Sequence, residues 1–273
     1  PSIEQVSGLP DEVKNFLSAE GFYLKATNFM AQGDMDNAAK QYEAALKIDA
    51  KYADAMADFG ALKTLKGDWQ GAADLYKKAL AVNPKDALYH ANYARVLAQL
   101  GDQEGCVAEL EKSYLANPKD KVVLVALSDR IGKSDPLRSV QLLTDAVALF
   151  PNAPDLRERL CLAYIKSGDL TAAIEQGRKA VSLDANSASA KMNLGSALFI
   201  SGDKQAAVES YRGATKLAPK NADAHFLLSK ALEATGQAAG AKDELKAFLD
   251  LTGESDARVP QARQHLNELS EAR

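Results

Sequence analysis

Six glycines set a period along this chain, and the period limits what the chain can fold into. Gly33, Gly67 and Gly101 are 34 residues apart, and so are Gly168, Gly202 and Gly236. The interval from Gly101 to Gly168 is 67 residues, room for two units with one residue missing. Self-similarity at this length marks a stacked array of small supersecondary units, none of which can bury its apolar face alone.

The text around each glycine gives the unit its content. Five of the six are followed by Asp, at positions 34, 68, 102, 169 and 203. A carboxylate there can accept from the first free N–H groups of a helix. Apolar residues then return every three or four positions, as in Ala38, Tyr42, Ala45 and Leu46, which makes one buried helical face. Pro84, Pro118, Pro151 and Pro219 follow such stretches and prevent their continuation. A second amphipathic stretch precedes each glycine, for example residues 53–66 and 188–201. Each unit therefore reads helix, turn, helix, turn. No segment alternates for long enough to form a sheet, so the expected class is all-α.

These positions carry a resemblance to the tetratricopeptide repeat family, over residues 19–253. Seven repeats start at Ala19, Ala53, Ala87, Asp120, Pro154, Ala188 and Ala222. The sixth matches best: Leu194 and Gly195 in its first helix, Ala207, Tyr211 and Ala214 in its second, Pro219 at its end. The second repeat has Gly60, Ala72, Tyr76, Ala79 and Pro84 at the same places. The resemblance implies a right-handed superhelical solenoid of antiparallel helix pairs. Small residues at Ala26, Gly60, Ala94, Cys161, Gly195 and Ser229 would let neighbouring helices approach closely. The fourth repeat departs from the pattern. It is one residue short, Ser134 stands where the turn glycine is expected, and Leu127 takes the small position. A helix pair with altered stacking is expected there.

Three segments follow: residues 1–18, irregular to residue 10 and helical from Asp11 with Val13, Phe16 and Leu17 apolar; the repeats at 19–253; and 254–273. The last contains a helix from about Pro260 to Ala272 with Ala262, Leu266 and Leu269 on one side. An open array needs a polar-backed end, and this helix reads as its cap.

Composition excludes several functions. A net charge of −4 with no dense run of Lys or Arg offers nucleic acid no general attraction. Apolar runs fall short of the ~18 residues of a membrane span, so membrane contact is expected only indirectly. Cys106 and Cys161 fall on core positions two repeats apart and read as buried thiols. His90, His225 and His265 lack companions at metal-ligand spacing, and no phosphate loop or nucleophile elbow is present. We expect neither catalysis, nor a metal, nor a cofactor. The chain begins at Pro1 without Met, so it is read as trimmed. Its compartment stays open, with the cytoplasm favoured over the periplasm.

The resemblance also implies a binding surface. First helices line a concave groove, through the second, fifth, sixth, ninth and twelfth residues of each repeat. The early repeats place acidic Glu20, Asp54 and Asp58 there. The groove set for a protein or peptide partner is then Asn92, Arg95, Lys121, Leu124, Val125, Ser128, Arg159, Leu162, Ile165, Met192, Asn193, Ser196, Phe199, Phe226 and Lys230. Apolar members dominate from the fourth repeat on, which suits an amphipathic helix or an extended apolar peptide. Packing between adjacent first helices is the competing account of each of them. The family's carboxylate clamp for chaperone tails is not matched. Only Asn92 and Lys121 survive of it, with Ala57, Ala61 and Val125 at the other places. The expected role is a non-enzymatic adaptor that assembles a larger complex. The alternative is a structural scaffold, similar to bacterial kinesin-light-chain-like proteins, that self-associates or decorates a filament through its convex face or ends.

Overall fold

The computed structural model describes residues 10–271, without the side chains of residues 11–17 and 271. The irregular reading of residues 1–9, the apolar side chains of Val13, Phe16 and Leu17, and the Ala272 end of the last helix lie outside the described residues. Among the described residues there are fifteen helices and no strand. First helices of the repeats are α1 (Asp11–Ala31), α3 (Ala53–Leu65), α5 (Ala87–Leu100), α7 (Lys121–Ile131), α9 (Pro154–Ser167), α11 (Ala188–Ser201) and α13 (Ala222–Ala234). Second helices are α2 (Met35–Ile48), α4 (Trp69–Val82), α6 (Gln103–Ala116), α8 (Pro136–Leu149), α10 (Leu170–Leu183), α12 (Lys204–Leu217) and α14 (Ala238–Leu251). α15 (Val259–Glu271) comes last. Because α1 begins at Asp11, the segment ahead of Ala19 extends the first repeat's helix.

The chain divides into two compact units, Pro1–Leu127 and Ser128–Arg273. In the first, α1 packs on α2, α3 on α4 and α5 on α6, and α4 passes contact on to α5. In the second, the pairs are α9 with α10, α11 with α12 and α13 with α14, linked through α10 to α11 and α12 to α13. First helices of successive repeats also touch, α3 with α5 in the first unit, and α9 with α11 and α11 with α13 in the second.

The Gly-Asp dipeptide both ends one helix and begins the next. Gly33 takes φ +78°, a left-handed conformation that suits a residue without Cβ. Its N–H donates to Met30 and that of Asp34 to Phe29, which closes α1 with a Schellman motif. The Asp34 carboxylate then accepts from Asn37 N–H at 3.1 Å and opens α2. Asp68, Asp102, Asp169 and Asp203 repeat the cap.

Packing within a pair rests on a ring set against a missing side chain. A Cβ on Gly195 would lie 2.8 Å from the Tyr211 ring, and one on Gly60 3.1 Å from Tyr76. Tyr42, Tyr76 and Tyr211 are among the largest fully buried side chains. The fifth repeat keeps the small Cys161 in its first helix and has Gly177 at the tyrosine position of its second, where a Cβ would lie 3.2 Å from Leu194 of the next repeat. The fourth repeat has no tyrosine in its second helix; Leu143 is buried there with Leu160 and Ala163 of the next repeat. Its turn has no left-handed residue. Ser134 Oγ donates to Ile131 O, and Asp135 caps α8 by accepting from Arg138 N–H. Cys106 and Cys161 are buried free thiols, and burial pushes Cys161 up to about 12.

Candidate partner-binding face

In the first unit the acidic side chains of the first helices are taken up by tyrosines one repeat away. Tyr23 Oη donates to Asp58 at 2.9 Å, and Tyr89 Oη donates to Asp54. Both pairs are separated by 35 residues, one repeat plus one, so each bond ties a first helix to its successor. Tyr23 also meets Tyr52 at 5.1 Å and Tyr42 at 6.2 Å between centroids. Burial, then the bond to a carboxylate, raises the Tyr23 and Tyr89 hydroxyls above the usual phenol range. Burial raises Asp58 too, and the Tyr23 hydrogen bond opposes that rise. Of the expected groove residues here, Arg95 is exposed, and Asn92, Lys121 and Val125 are half-buried. Leu124 is 0% exposed and belongs to the core, because the shortened fourth repeat turns it inward.

In the second unit several polar members of the expected set are already occupied. Arg159 pairs with Asp129. Ser196 accepts from Tyr211 Oη at 3.0 Å and donates to Met192 O. Asn221 approaches the Met192 sulfur at 3.6 Å. Ser128 is 1% exposed, and its carbonyl accepts from Ser139 Oγ at 3.0 Å. It is withdrawn from the surface for the same reason as Leu124. The apolar members remain accessible in part. Leu162 is 38% exposed, and Ile165, Asn193, Phe199 and Phe226 are half-buried. Ile165 rests on Cys161, Ala173 and Ala197, and Phe199 on the cluster around Leu198 and Val208. Phe226 packs on Phe248 with ring centroids 4.9 Å apart and planes tilted by 46°, and lies beneath Lys230. Ile165, Phe199 and Phe226 thus serve packing on one side and present a surface on the other.

Two of the histidines have a use that residue-by-residue reading misses. His90 faces Glu109 through Nδ1 at 2.5 Å and Pro84 O through Nε2 at 3.0 Å. His225 does the same with Glu244 and Pro219 O, at the same two distances. Arg157 reproduces the arrangement in the fifth repeat, donating to Gln176 and to Pro151 O. These are structural staples that fasten a first helix to its own second helix and to the end of the preceding repeat. Among the described residues no group of His, Cys, Asp and Glu could hold a metal ion. No described helix is long and apolar enough to cross a membrane.

Models of the tetratricopeptide repeat match residues 19–52, 63–127 and 126–190, and a TPR repeat model matches 195–236. The chain belongs to the tetratricopeptide repeat family. Solved structures agree on the fold. A tetratricopeptide repeat protein from Parabacteroides merdae aligns with a TM-score of 0.63 at 16% identity, over 93% of this chain and 99% of that one. The C-terminal part of a TPR repeat-containing protein from Cytophaga hutchinsonii aligns with a TM-score of 0.68 at 11% identity, over 88% and 98%. YrrB, described as a TPR protein with an unusual peptide-binding site, aligns with a TM-score of 0.55 at 19% identity, over 72% and 99%. No curated protein matches the chain. The repeats and these TPR neighbours support a protein-interaction scaffold.

Proposed function

We propose that this TPR array is a non-enzymatic adaptor whose second unit holds an amphipathic helix or apolar peptide of a partner protein. The occupant lies on the face made by α9, α11 and α13, and the array helps assemble a larger complex. The observation that carries the reading is the line of half-exposed apolar side chains, Leu162, Ile165, Phe199 and Phe226, one or two from each successive first helix. Such a line matches the spacing at which an amphipathic helix presents its apolar stripe. Asn193 adds an amide that can pair with peptide backbone. Peptide binding in YrrB, a protein of the same fold, supports the choice of occupant.

The test is capture of partners from native lysate by the wild type beside a Leu162→Glu/Phe199→Asp double mutant. Circular dichroism checks that the mutant stays helical. A partner captured by the wild type alone supports this face as the site. A partner retained equally by both removes the site from it and favours attachment through the second helices or the ends.

A further inference from the structure

The first unit gathers carboxylates that no cation neutralises. Asp54 and Asp58 lie one turn apart on α3, a spacing at which like charges repel. Each accepts from a tyrosine, Asp58 from Tyr23 and Asp54 from Tyr89. A phenol hydroxyl satisfies one acceptor site of a carboxylate and leaves its charge in place. Glu20 on α1 and Asp49 after α2 join them. Burial raises the Tyr52 hydroxyl, and Glu20, Asp54, Asp49 and Asp58 add to the rise, so four carboxylates act on one ring. None of the four forms a salt bridge among the described residues.

A buried hydroxyl beside them lacks a partner. In the sixth repeat Tyr211 Oη donates to Ser196, the residue after Gly195, at 3.0 Å. In the second repeat the residue after Gly60 is Ala61, whose side chain offers no acceptor. Tyr76 is 0% exposed there, and its Oη forms no hydrogen bond. A buried polar group without a partner is costly, so such a group points to something that completes it. Ala61 follows Asp58 by three positions on α3, which brings the orphan hydroxyl to the side that carries the carboxylates. Burial raises the Tyr76 hydroxyl, Arg95 on α5 opposes the rise, and Asp58 adds to it. Arg95 is exposed, forms no salt bridge among the described residues and has no effect on Asp58. One guanidinium therefore stands near four carboxylates without pairing with any.

We infer that this face of α1 and α3 binds an arginine side chain from a basic segment of a partner protein. A guanidinium suits these groups better than an ammonium. Its planar fork can donate to Asp54 and Asp58 side by side, in charge-assisted bonds stronger than neutral ones. Its weakly hydrated face can lie against the Tyr23 and Tyr52 rings, whose centroids are 5.1 Å apart. Tyr76 Oη beneath supplies a further acceptor, directly or through a water. The site lies wholly in the first unit and does not depend on what α9, α11 and α13 hold.

The probe is acetyl-Ala-Arg-Ala-Arg-Ala-amide, beside its lysine and citrulline counterparts. Each is titrated into the ¹⁵N-labelled full chain, as wild type, Asp58→Asn and Asp74→Asn, with amide shifts as readout. Asp74 is exposed on α4, so its substitution removes the same charge away from the site. The arginine peptide should shift Tyr23, Asp54, Asp58 and Tyr89 and bind roughly fivefold tighter than the lysine peptide. The citrulline peptide should leave those amides unmoved. Asp58→Asn should weaken the arginine peptide by about tenfold, and Asp74→Asn should leave it unchanged. Equal losses in the two variants would reduce the attraction to net charge and overturn the inference. Equal binding of the arginine and lysine peptides, or silence in α1 and α3, would do the same. Urea unfolding tests the bland account of Asp58 as a structural residue. Asp58→Asn keeps an oxygen for Tyr23 Oη and removes the repulsion from Asp54, so the variant should be at least as stable as the wild type. A less stable variant would make the carboxylate a structural group and sink the site.

Discussion

At the scale of residues, the array depends on side chains that fill one another's space. The Tyr211 ring lies where a Gly195 side chain would be. In the first repeat Ala26 holds the position of Gly195 and is buried, as is Tyr42 at the position of Tyr211, so one carbon is tolerated at that place. A larger group is not. Gly195→Leu should cost roughly 1–3 kcal/mol by overpacking, measured by urea unfolding. Adding Tyr211→Ala should recover part of that loss, because the two positions share one volume and their effects do not add. These pairings were legible in the sequence, since the small and tyrosine positions recur in register. The staples were less so. His90 and Glu109, His225 and Glu244, and Arg157 and Gln176 are all 19 residues apart, and only that shared spacing could have revealed them. A histidine considered alone shows no partner, because its acceptor lies on another helix. Leu124 and Ser128 are buried rather than on the groove surface for a related reason. Repeat-position rules assume a full-length unit, and the fourth repeat is one residue short.

At the scale of elements, helix boundaries follow from capping chemistry and were readable almost to the residue. Asp169 accepts from Ala172 N–H at 3.0 Å and starts α10. Asp169→Ala should cost about 1 kcal/mol, and Asp169→Asn much less, in the same unfolding assay. The cap helix adds a dependence on pH. Hydrogen bonding to Glu233, followed by that to Glu268, raises His265 above its ordinary value of 6.5, against the opposing effect of burial. A raised folded-state pKa adds stability that is fully present below the unfolded value and is lost as pH climbs through the folded one. Glu268, lowered from 4.5 chiefly by the bond to His265, adds stability that is lost only as pH falls through its lowered value. The latch between α13 and α15 is therefore complete between 4.5 and 6.5 and weakens on the alkaline side. The stability difference between wild type and His265→Gln should shrink as pH rises above 6.5. A difference that grew over this range would refute the assignment.

At the scale of the whole molecule, the period made the number and order of helix pairs legible but left the partner unnamed. The reason is physical. Repeat period and small-residue spacing report on contacts the chain makes with itself, whereas a partner is read from surface groups that those contacts do not constrain. An array also has no single core, and its stability is close to a sum of repeat and neighbour terms. Damage at an end should therefore decay along the chain rather than unfold it at once. Leu266 packs into the cluster of Leu245, Phe248, Val259 and Ala262 that seats α15. Leu266→Asp should remove about 2 kcal/mol from that seat and open a path to solvent for Phe226 and Phe248. Amide hydrogen exchange would then rise most in α15 and α14, less in α13 and α12, and least in α11 and α9. A uniform rise across these helices would mean that residues 128–273 unfold as one cooperative block, and that the neighbour terms outweigh the strength of any single repeat.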